Sequence, residues 1–364
     1  NNGQQTIKTD TGMKLTELLS GIETLQRAGA PETDITSLGF DSRHATAGQL
    51  FFAVKGSASD GHDYMAQATA NGAAAVVCER LPEEPFPGVA YIVVADSSAA
   101  LGTIASRFYG EPSHKLKLVG VTGTNGKTTT ATLLYDLFRR LGYKAGLIST
   151  VVYRIDNETL PSTHTTPDAI RLNAMLAEMA ERGCDYCFME VSSHSIVQER
   201  IAGLTFAGGI FTNITHEHLD YHGTFAEYIR AKKRFFDRLP KGAFALVNTD
   251  DRNGAVMVQN SAATTYTYAL RSFSDFRCRI LENTPEGMLL ELDGQQVWTR
   301  FLGRFNAYNL AAVYGAARLL GADCDETLQA LSRLTPVNGR FDTLHSPDGI
   351  TAIVDYAHTP DALR

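Results

Sequence analysis

The stretch "LVGVTGTNGKTTT" at residues 118–130 constrains the fold more than any other part of the chain. An apolar run leads into it. Leu134, Leu137, Phe138 and Leu141 follow on one helical face, which predicts a helix from about Thr128 to Leu141. Strand, glycine-rich loop and helix in that order are the context of a phosphate-binding loop. Gly123 and Gly126 let the backbone fold tightly, so that N–H groups converge on phosphate oxygens. Thr124, Asn125 and Thr129 complete the candidate cofactor loop. Lys127 is placed to reach outer phosphates, and the Thr128 hydroxyl to ligate Mg²⁺. The general pattern G-x-x-x-x-G-K-T asks for glycine at position 121, where this chain has Val121, so the loop is a variant. Such a loop implies a nucleoside triphosphate. It does not separate a kinase, a ligase or a switch.

Strands and helices keep alternating beyond the loop. "KAGLIST" reads as a strand, and a helix opens at "TTPDA", with Thr166 as its N-cap and Pro167 in its first turn. Leu172, Leu176 and Met179 share a face before Gly183 stops that helix. "YCFMEVSS" and "GIFTNIT" are further strands. This alternation predicts an α/β fold with a mostly parallel, doubly wound central sheet. Residues 264–302 predict short strands around turns at Pro285-Glu286-Gly287 and Asp293-Gly294, with a helix at "FNAYNLAAVYGAARLLG". Residues 13–112 read as a smaller α/β unit with loops such as "DSR" and "DGHDY". After "TPVNGRFD" come one strand, "ITAIVDYA", and a helix start, "HTPDALR". We therefore expect a tail at 1–12, domains at 13–112 and 113–336, and the start of a truncated third domain at 337–364. The last piece is shorter than the roughly 50 residues a domain needs.

Composition narrows the class. A 364-residue chain suits two or three domains. A net charge of −7 gives no reason to expect nucleic acid or a membrane surface as partner. No apolar run reaches the roughly 18 residues of a spanning helix, and "NNGQQTIKTDTG" lacks a signal-peptide core. Five cysteines are an odd number in a chain of this size, which speaks against a disulfide framework and for a reducing, cytoplasmic setting. Cys184 and Cys187 form a C-x-x-C pair, but no second pair completes a zinc site and the segment runs like a buried strand.

Residues 211–233, "FTNITHEHLDYHGTFAEYIRAKK", hold three histidines and a paired lysine. A metalloprotease H-E-x-x-H would need histidine at 220, where Asp220 stands. Thr224 and Glu227 read as a capping box. Phe225, Tyr228, Ile229, Phe235, Phe236 and Leu239 form one apolar stripe, and Lys232 falls on it. A buried ammonium loses hydration and tends to neutralise. Three readings stay open at this point: a side chain whose tip reaches water, a lysine paired with a carboxylate, or an amine that has taken up CO₂ and become a carbamate able to ligate Mg²⁺ through oxygen. Glu190, at the end of an apolar strand, and His218 are candidate co-ligands. His194, His216 and His222 are expected to be supporting or structural.

The segments "GVTGTNGKTTT", "THTTPDA", "MEVSSHS", "HLDYHGTFAEYIRAKK", "FNAYNLAA", "NGRFD" and "VDYAHTPDALR" together resemble the Mur ligase family over residues 13–364. The resemblance is strongest to members that add the third amino acid to UDP-N-acetylmuramoyl-L-alanyl-D-glutamate. It implies three domains and an ATP- and Mg²⁺-dependent amide ligation through an acyl phosphate, with two metal ions, in a cytoplasmic, monomeric enzyme. It implies that Lys127 and Thr128 serve ATP, that Glu190 and His218 ligate magnesium, and that Lys232 is the carbamylated lysine. It also implies that Ser42 contacts uridine, that Thr165, Thr166, Ser192, Gln198 and Arg200 contact the UDP-muramoyl peptide, and that Asn309, Arg340 and Asp355 contact the nucleotide. The family's motif for the incoming diamino acid lies beyond this sequence, so diaminopimelate and lysine are not distinguished, and this chain is expected to bind the UDP substrate but to turn over poorly. Rival readings are a folylpolyglutamate-synthase-like ligase, a non-catalytic nucleotide sensor and, from the histidines alone, a zinc hydrolase.

Overall fold

The structure is a computed structural model that describes residues 12–29, 33–56, 59–345 and 351–357. Nearly all of the expected N-terminal tail and the helix start at "HTPDALR" lie outside the described residues. The chain forms two compact units.

The first unit comprises the described residues up to Ser113 together with 167–177 and 198–204. Its sheet has strands β1 (Gln26–Ala28), β2 (Ser37–Gly39), β3 (Gln49–Phe52), β4 (Ala75–Cys78) and β5 (Ala90–Val93), in the order β1-β5-β4-β3-β2. Only β1 runs antiparallel to its neighbour. Side chains alternate between two cores, as the two-residue period of a strand requires. Leu50, Phe52, Val77 and Ile92 pack with Leu101, Ile104 and Phe108 of helix α2 (Ser97–Phe108). Phe51, Val76, Cys78 and Tyr91 pack with Met65 and Ala68 of helix α1 (Met65–Ala70). Both faces are covered, so these strands read as unbroken apolar runs in the sequence.

The second unit holds an eleven-stranded sheet. Its parallel centre has the order β7-β10-β6-β11-β12-β13-β14, with β6 (Lys117–Thr122), β7 (Ala145–Ile148), β10 (Tyr186–Glu190), β11 (Gly208–Phe211), β12 (Phe244–Asn248), β13 (Thr264–Ala269) and β14 (Phe276–Thr284). Antiparallel strands extend both edges: β8 (Val152–Ile155) with β9 (Glu158–Pro161), and β15 (Gly287–Leu292) with β16 (Gln295–Thr299). The chain leaves β6 toward β7 and β10 on one side, then crosses to β11 on the other. That reversal is a topological switch point, and α/β sheets bind ligands outside the carboxyl ends of their strands at such a point. Asp342–His345 and Thr351–Val354 pair as a separate two-stranded ribbon, so the expected strand in "ITAIVDYA" has a partner just upstream.

Helices α3 (Lys127–Arg140), α4 (Ala169–Glu181), α5 (Phe225–Asp237) and α6 (Arg304–Leu319) complete the frame of the site. Leu134, Leu137 and Phe138 of α3 are fully buried. The cap of α4 differs from expectation. Asp168 accepts from the Arg171 N–H at 3.0 Å, whereas the Thr166 hydroxyl donates to the Glu190 carbonyl at 2.8 Å. A carboxylate nearer the helix start takes the cap, which frees the threonine to tie down a strand end. Gly183, at φ +77°, ends the helix as expected, with the Gly183 and Cys184 N–H groups donating back to Ala180 and Met179.

Helix α5 is seated by glycines. Gly120 of β6 and Gly209 of β11 pair across the sheet. A Cβ at either would lie 2.6 Å and 2.8 Å from the Phe235 ring. The missing side chains leave a bay into which Phe235 sinks. The Thr224 hydroxyl accepts from the Glu227 N–H at 3.2 Å. The reciprocal half of the capping box is not made: the Thr224 N–H donates to the His222 carbonyl, and the Glu227 carboxylate pairs with Arg230.

Candidate active site

The loop after β6 is braced from the side. Gly123 has φ +153° and Gly126 has φ +87°. A Cβ at Gly123 would fall 1.9 Å from the Thr212 hydroxyl oxygen, and one at Gly126 would fall 2.5 Å from Asn309 Oδ1. The segment "TNIT" that follows β11 supplies the brace. The Asn125 N–H donates to Asn213 Oδ1 at 2.9 Å, the Thr212 hydroxyl donates to the Asn125 carbonyl at 2.6 Å, and the Thr215 N–H donates to Thr124 Oγ1 at 3.0 Å. Thr124 Oγ1 also lies 3.2 Å from the Tyr228 hydroxyl. Thr128 and Thr129 are buried in the first turn of α3. The role of Thr212, Asn213 and Thr215 was not read from the sequence. Its only local sign is a polar run directly after a buried apolar strand.

Two lysines meet at one carbonyl. Lys127 Nζ donates to the carbonyls of Gly123 at 2.9 Å and Thr124 at 2.7 Å. Lys232 Nζ donates to the same Gly123 carbonyl at 2.8 Å and lies 4.8 Å from the centre of the Tyr228 ring. Lys232 is 1% exposed. Of the three readings, the tip that escapes to water is excluded. Burial pushes both amines below the usual lysine range, and the Lys127 charge lowers Lys232 further while Glu217 opposes that shift. Glu217, whose side chain is 14% exposed, acts electrostatically on both lysines. Sequence reasoning passed it over because it belongs to no apolar stripe.

Glu190 is 1% exposed at the end of β10. Its Oε1 accepts from the Thr150 N–H at 2.6 Å and its Oε2 from the Thr150 hydroxyl at 3.2 Å. His218 sits in left-handed backbone at φ +54°, capping the short helix Leu219–His222. Burial lowers its pKa, Glu217 opposes this, and both lysines add to the lowering, so the ring favours the neutral form a metal ligand needs. His194 lies edge-on to His218 at 5.0 Å, His216 stacks on Phe225 at 4.3 Å, and His222 Nε2 is 3.0 Å from the Ser193 hydroxyl. Among the described residues, no three His, Cys, Asp or Glu side chains gather into a metal cage. A cation here would depend on the Thr128 hydroxyl and on Lys232 besides Glu190 and His218. Carboxylate, hydroxyl and carbamate oxygens suit a hard ion such as Mg²⁺.

The remaining expected residues divide between the units. In the second unit, Thr165 Oγ1 lies 3.0 Å from Thr150 Oγ1, and the Ser192 N–H points at Thr166 Oγ1 at 3.4 Å. The Thr130 hydroxyl points at Asn309 Oδ1 at 3.5 Å, while Asn309 Nδ2 donates to Asn306 at 3.1 Å. Arg340 donates to the Thr128 hydroxyl at 3.2 Å and lies 4.9 Å from the Tyr356 ring centre. Asp355 accepts from the N–H groups of Phe341 and Ala357 at 2.5 and 2.6 Å. In the first unit, Ser42 is buried and donates to Gln67 at 2.7 Å, and Arg200 donates twice to Gln198 Oε1 at 2.9 and 2.6 Å. All five cysteines are free thiols, and burial raises the Cys187 pKa well above the ordinary thiol value.

A phosphate loop at a doubly wound switch point, with a lysine, a carboxylate and a second buried lysine around it, defines an α/β nucleotide-dependent enzyme fold. The model of the Mur ligase middle domain matches residues 121–317, and that of the Mur ligase family catalytic domain matches residues 34–109. The chain belongs to the Mur ligase family. It is 57% identical over 351 residues to the UDP-N-acetylmuramoyl-L-alanyl-D-glutamate–2,6-diaminopimelate ligase of Bacteroides thetaiotaomicron, covering 96% of this chain and 73% of that one. It is 58% identical over 351 residues to the ligase of the same name from Bacteroides fragilis, covering 96% and 72%. A solved structure of a ligase of that name, 28% identical, superposes with a TM-score of 0.83 over 97% of this chain and 72% of that chain. Among the described residues, no helix is long and apolar enough to cross a membrane.

Proposed function

We propose that this chain binds ATP and UDP-N-acetylmuramoyl-L-alanyl-D-glutamate for the ATP-dependent ligation of 2,6-diaminopimelate to the glutamate γ-carboxylate, a step of peptidoglycan synthesis. The names of the relatives support that substrate pair and favour diaminopimelate over lysine. In this reading, residues 13–112 hold the UDP part, 113–336 hold ATP, and 337–364 begin a third domain. Ser42, Thr165, Thr166, Ser192, Gln198 and Arg200 serve the UDP-muramoyl peptide, while Asn309, Arg340 and Asp355 serve the nucleotide. The enzyme acts as a cytoplasmic monomer. The observation that carries the reading is the pair Lys127 and Lys232 at the Gly123 carbonyl, with the buried Glu190 acting electrostatically on Lys127.

The physical problem is to bring an anionic carboxylate up to an anionic triphosphate. Mg²⁺, when bound, would neutralise phosphate charge at the reacting centre. Lys127 exchanges its loop carbonyls for phosphate oxygens as the nucleotide enters. Arg340 gives up the Thr128 hydroxyl, which would be a ligand of Mg²⁺ when the ion is bound. The carboxylate then attacks the γ-phosphate, ADP leaves, and the diaminopimelate amine displaces phosphate from the acyl carbon. Lys232 carries its amine as a carbamate: the neutral nitrogen bonds to the carbon of CO₂ and the proton goes to solvent. The converted side chain would hold metal with Glu190 and His218, and would no longer add its positive charge to that of Lys127.

Whatever ADP release the chain shows, however slow, is expected to be stimulated by UDP-muramoyl dipeptide with diaminopimelate and not by a folate. Stimulation by the folate alone would move the chain to the folylpolyglutamate-synthase side of the fold. Calorimetry showing no heat with the UDP-muramoyl dipeptide would overturn the substrate assignment.

A further inference from the structure

Glu190 is gripped by Thr150, from the turn that follows the neighbouring strand. Strand β7 runs parallel to β10 in register, with Ile148 opposite Met189. The chain turns immediately after β7, and that turn is pinned. Ser149 Oγ donates to the Val152 carbonyl at 2.8 Å, and Ser162 Oγ donates to the Ser149 carbonyl at 2.9 Å. Thr150 is thereby held beside the end of β10. Its N–H takes one oxygen of Glu190 at 2.6 Å and its hydroxyl takes the other at 3.2 Å. The same hydroxyl is 3.0 Å from Thr165 Oγ1.

A threonine has one O–H, and a carboxylate only accepts. The Thr150 hydroxyl therefore has one proton and two acceptors in reach, Glu190 Oε2 at 3.2 Å and Thr165 Oγ1 at 3.0 Å, so the state of Thr165 decides how firmly Glu190 is held. Both carboxylate oxygens are fixed, and each keeps a lone pair for a cation. A carboxylate with one free torsion would sample several directions. The Thr150 pair removes that freedom before any ion arrives, as supporting hydrogen bonds around metal ligands do.

We propose that Thr150 is a positioning residue: it aims Glu190 at the metal and couples that aim to the substrate-loop residue Thr165. The inference rests on Glu190 being a metal ligand and on Thr165 meeting the UDP-muramoyl peptide. When substrate engages the Thr165 hydroxyl, the bond to Thr150 is altered and the set of Glu190 changes with it. Substrate and metal affinities are then linked through one hydroxyl.

Thr150 is exposed as a residue and fills no core, so Thr150→Val keeps the fold while removing only the O–H. The test is Mn²⁺ binding to the chain with ADP, read by electron paramagnetic resonance of free Mn²⁺, with and without UDP-muramoyl dipeptide. Thr150→Val weakens Mn²⁺ by about 10-fold to 100-fold, the usual range for loss of a ligand-orienting partner. Thr150→Ser, which keeps both donors, restores it. Thr165→Val, which removes that partner of Thr150 with or without substrate, shifts Mn²⁺ affinity to a value that saturating dipeptide no longer changes. Unchanged Mn²⁺ affinity in Thr150→Val, with Glu190→Gln strongly weakened, would overturn this inference alone. Unchanged affinity in Glu190→Gln, or no Mn²⁺–ADP binding by the unaltered chain, would overturn the metal-ligand reading together with it.

Discussion

Lys127 and Lys232 donate to the same backbone carbonyl, that of Gly123, at 2.9 and 2.8 Å. Two ammonium ions at one carbonyl repel, and unit charges about 4 Å apart do so by about 4 kcal/mol in an effective dielectric of about 20. Burial adds to the penalty for each. The group that gives way is Lys232, whose pKa falls furthest. A neutral amine is the form that reacts with CO₂, so the chain is predicted to take up ¹³C-bicarbonate and show a carbamate carbon by NMR. The signal grows as pH is raised through the lowered pKa of Lys232 and is absent in Lys232→Met. Lys232→Ala in a complete enzyme loses activity, with partial recovery in added short carboxylates. Full activity in Lys232→Ala would end the carbamate reading.

The same lysine fixes a sign for stability. Its folded pKa lies below its unfolded value of about 10.4. Between those two values the unfolded chain binds the extra proton, so stability without CO₂ rises with pH across that window and is lowest below it. Urea melts under CO₂-free conditions are expected to show Lys232→Met more stable than the unaltered chain near neutral pH, with the gap closing as pH climbs. A gap that widened with pH would contradict the buried-cation account.

The loop glycines give a prediction about nucleotide rather than stability alone. Gly123→Ala puts a methyl 1.9 Å from Thr212 Oγ1, and backbone at φ +153° suits no other residue. Strain of about 1–3 kcal/mol is enough to cost about tenfold to a hundredfold in ATP affinity. Fluorescent-nucleotide titration checks this, and wild-type affinity in Gly123→Ala would mean the loop is not held as described.

What the sequence made legible was local. The apolar stripe on α5 put Lys232 on the inward face, because helical period is a near-neighbour property, but left open whether its tip reached water; the structure buries it. The parallel sheet, the loop and the hairpins at 276–299 followed from patterns within a few residues. What was missed joins distant segments. Nothing near Lys232 says that its amine meets Gly123, nothing in "TNIT" says that it braces the loop, and Thr150 looks like any turn threonine until β7 and β10 lie side by side. Thr166 was misread as a helix cap for the same reason: its partner is a carbonyl on another strand.

Asp250 is a second buried knot that periodicity could not announce. Its side chain is 2% exposed. It accepts from the N–H groups of Leu270, Arg271 and Ser272, from the Ser272 hydroxyl at 2.6 Å and from the Tyr308 hydroxyl at 2.7 Å. Burial alone would raise its pKa, yet these bonds hold it well below the usual carboxylate range. A depressed carboxylate stabilises fully above its unfolded pKa and loses that contribution as pH falls toward the folded one. Asp250→Asn is predicted to be less stable by about 2–3 kcal/mol at pH 7, with the difference shrinking below about pH 4. Tyr308→Phe costs about 1.5 kcal/mol by the same reckoning. Equal acid limbs in the two melting profiles would show that the carboxylate charge is not what ties the loop to α6.

Phe235 and Gly120 offer a test of how Lys232 is brought to its place. The ring lies where a Cβ on Gly120 would come within 2.6 Å. It sits one helical turn beyond Lys232, so pushing it outward lifts the amine from the Gly123 carbonyl. Gly120→Ala is predicted to destabilise by about 1–3 kcal/mol, the range for overpacking a filled core. It should also lower bicarbonate uptake at Lys232. Phe235→Leu removes the clashing edge, and the double variant should regain part of both losses even though Phe235→Leu alone is harmful. A double-mutant cycle in urea measures that coupling. Strictly additive effects would mean that the glycine bay does not seat α5, and that another contact sets the depth of the lysine.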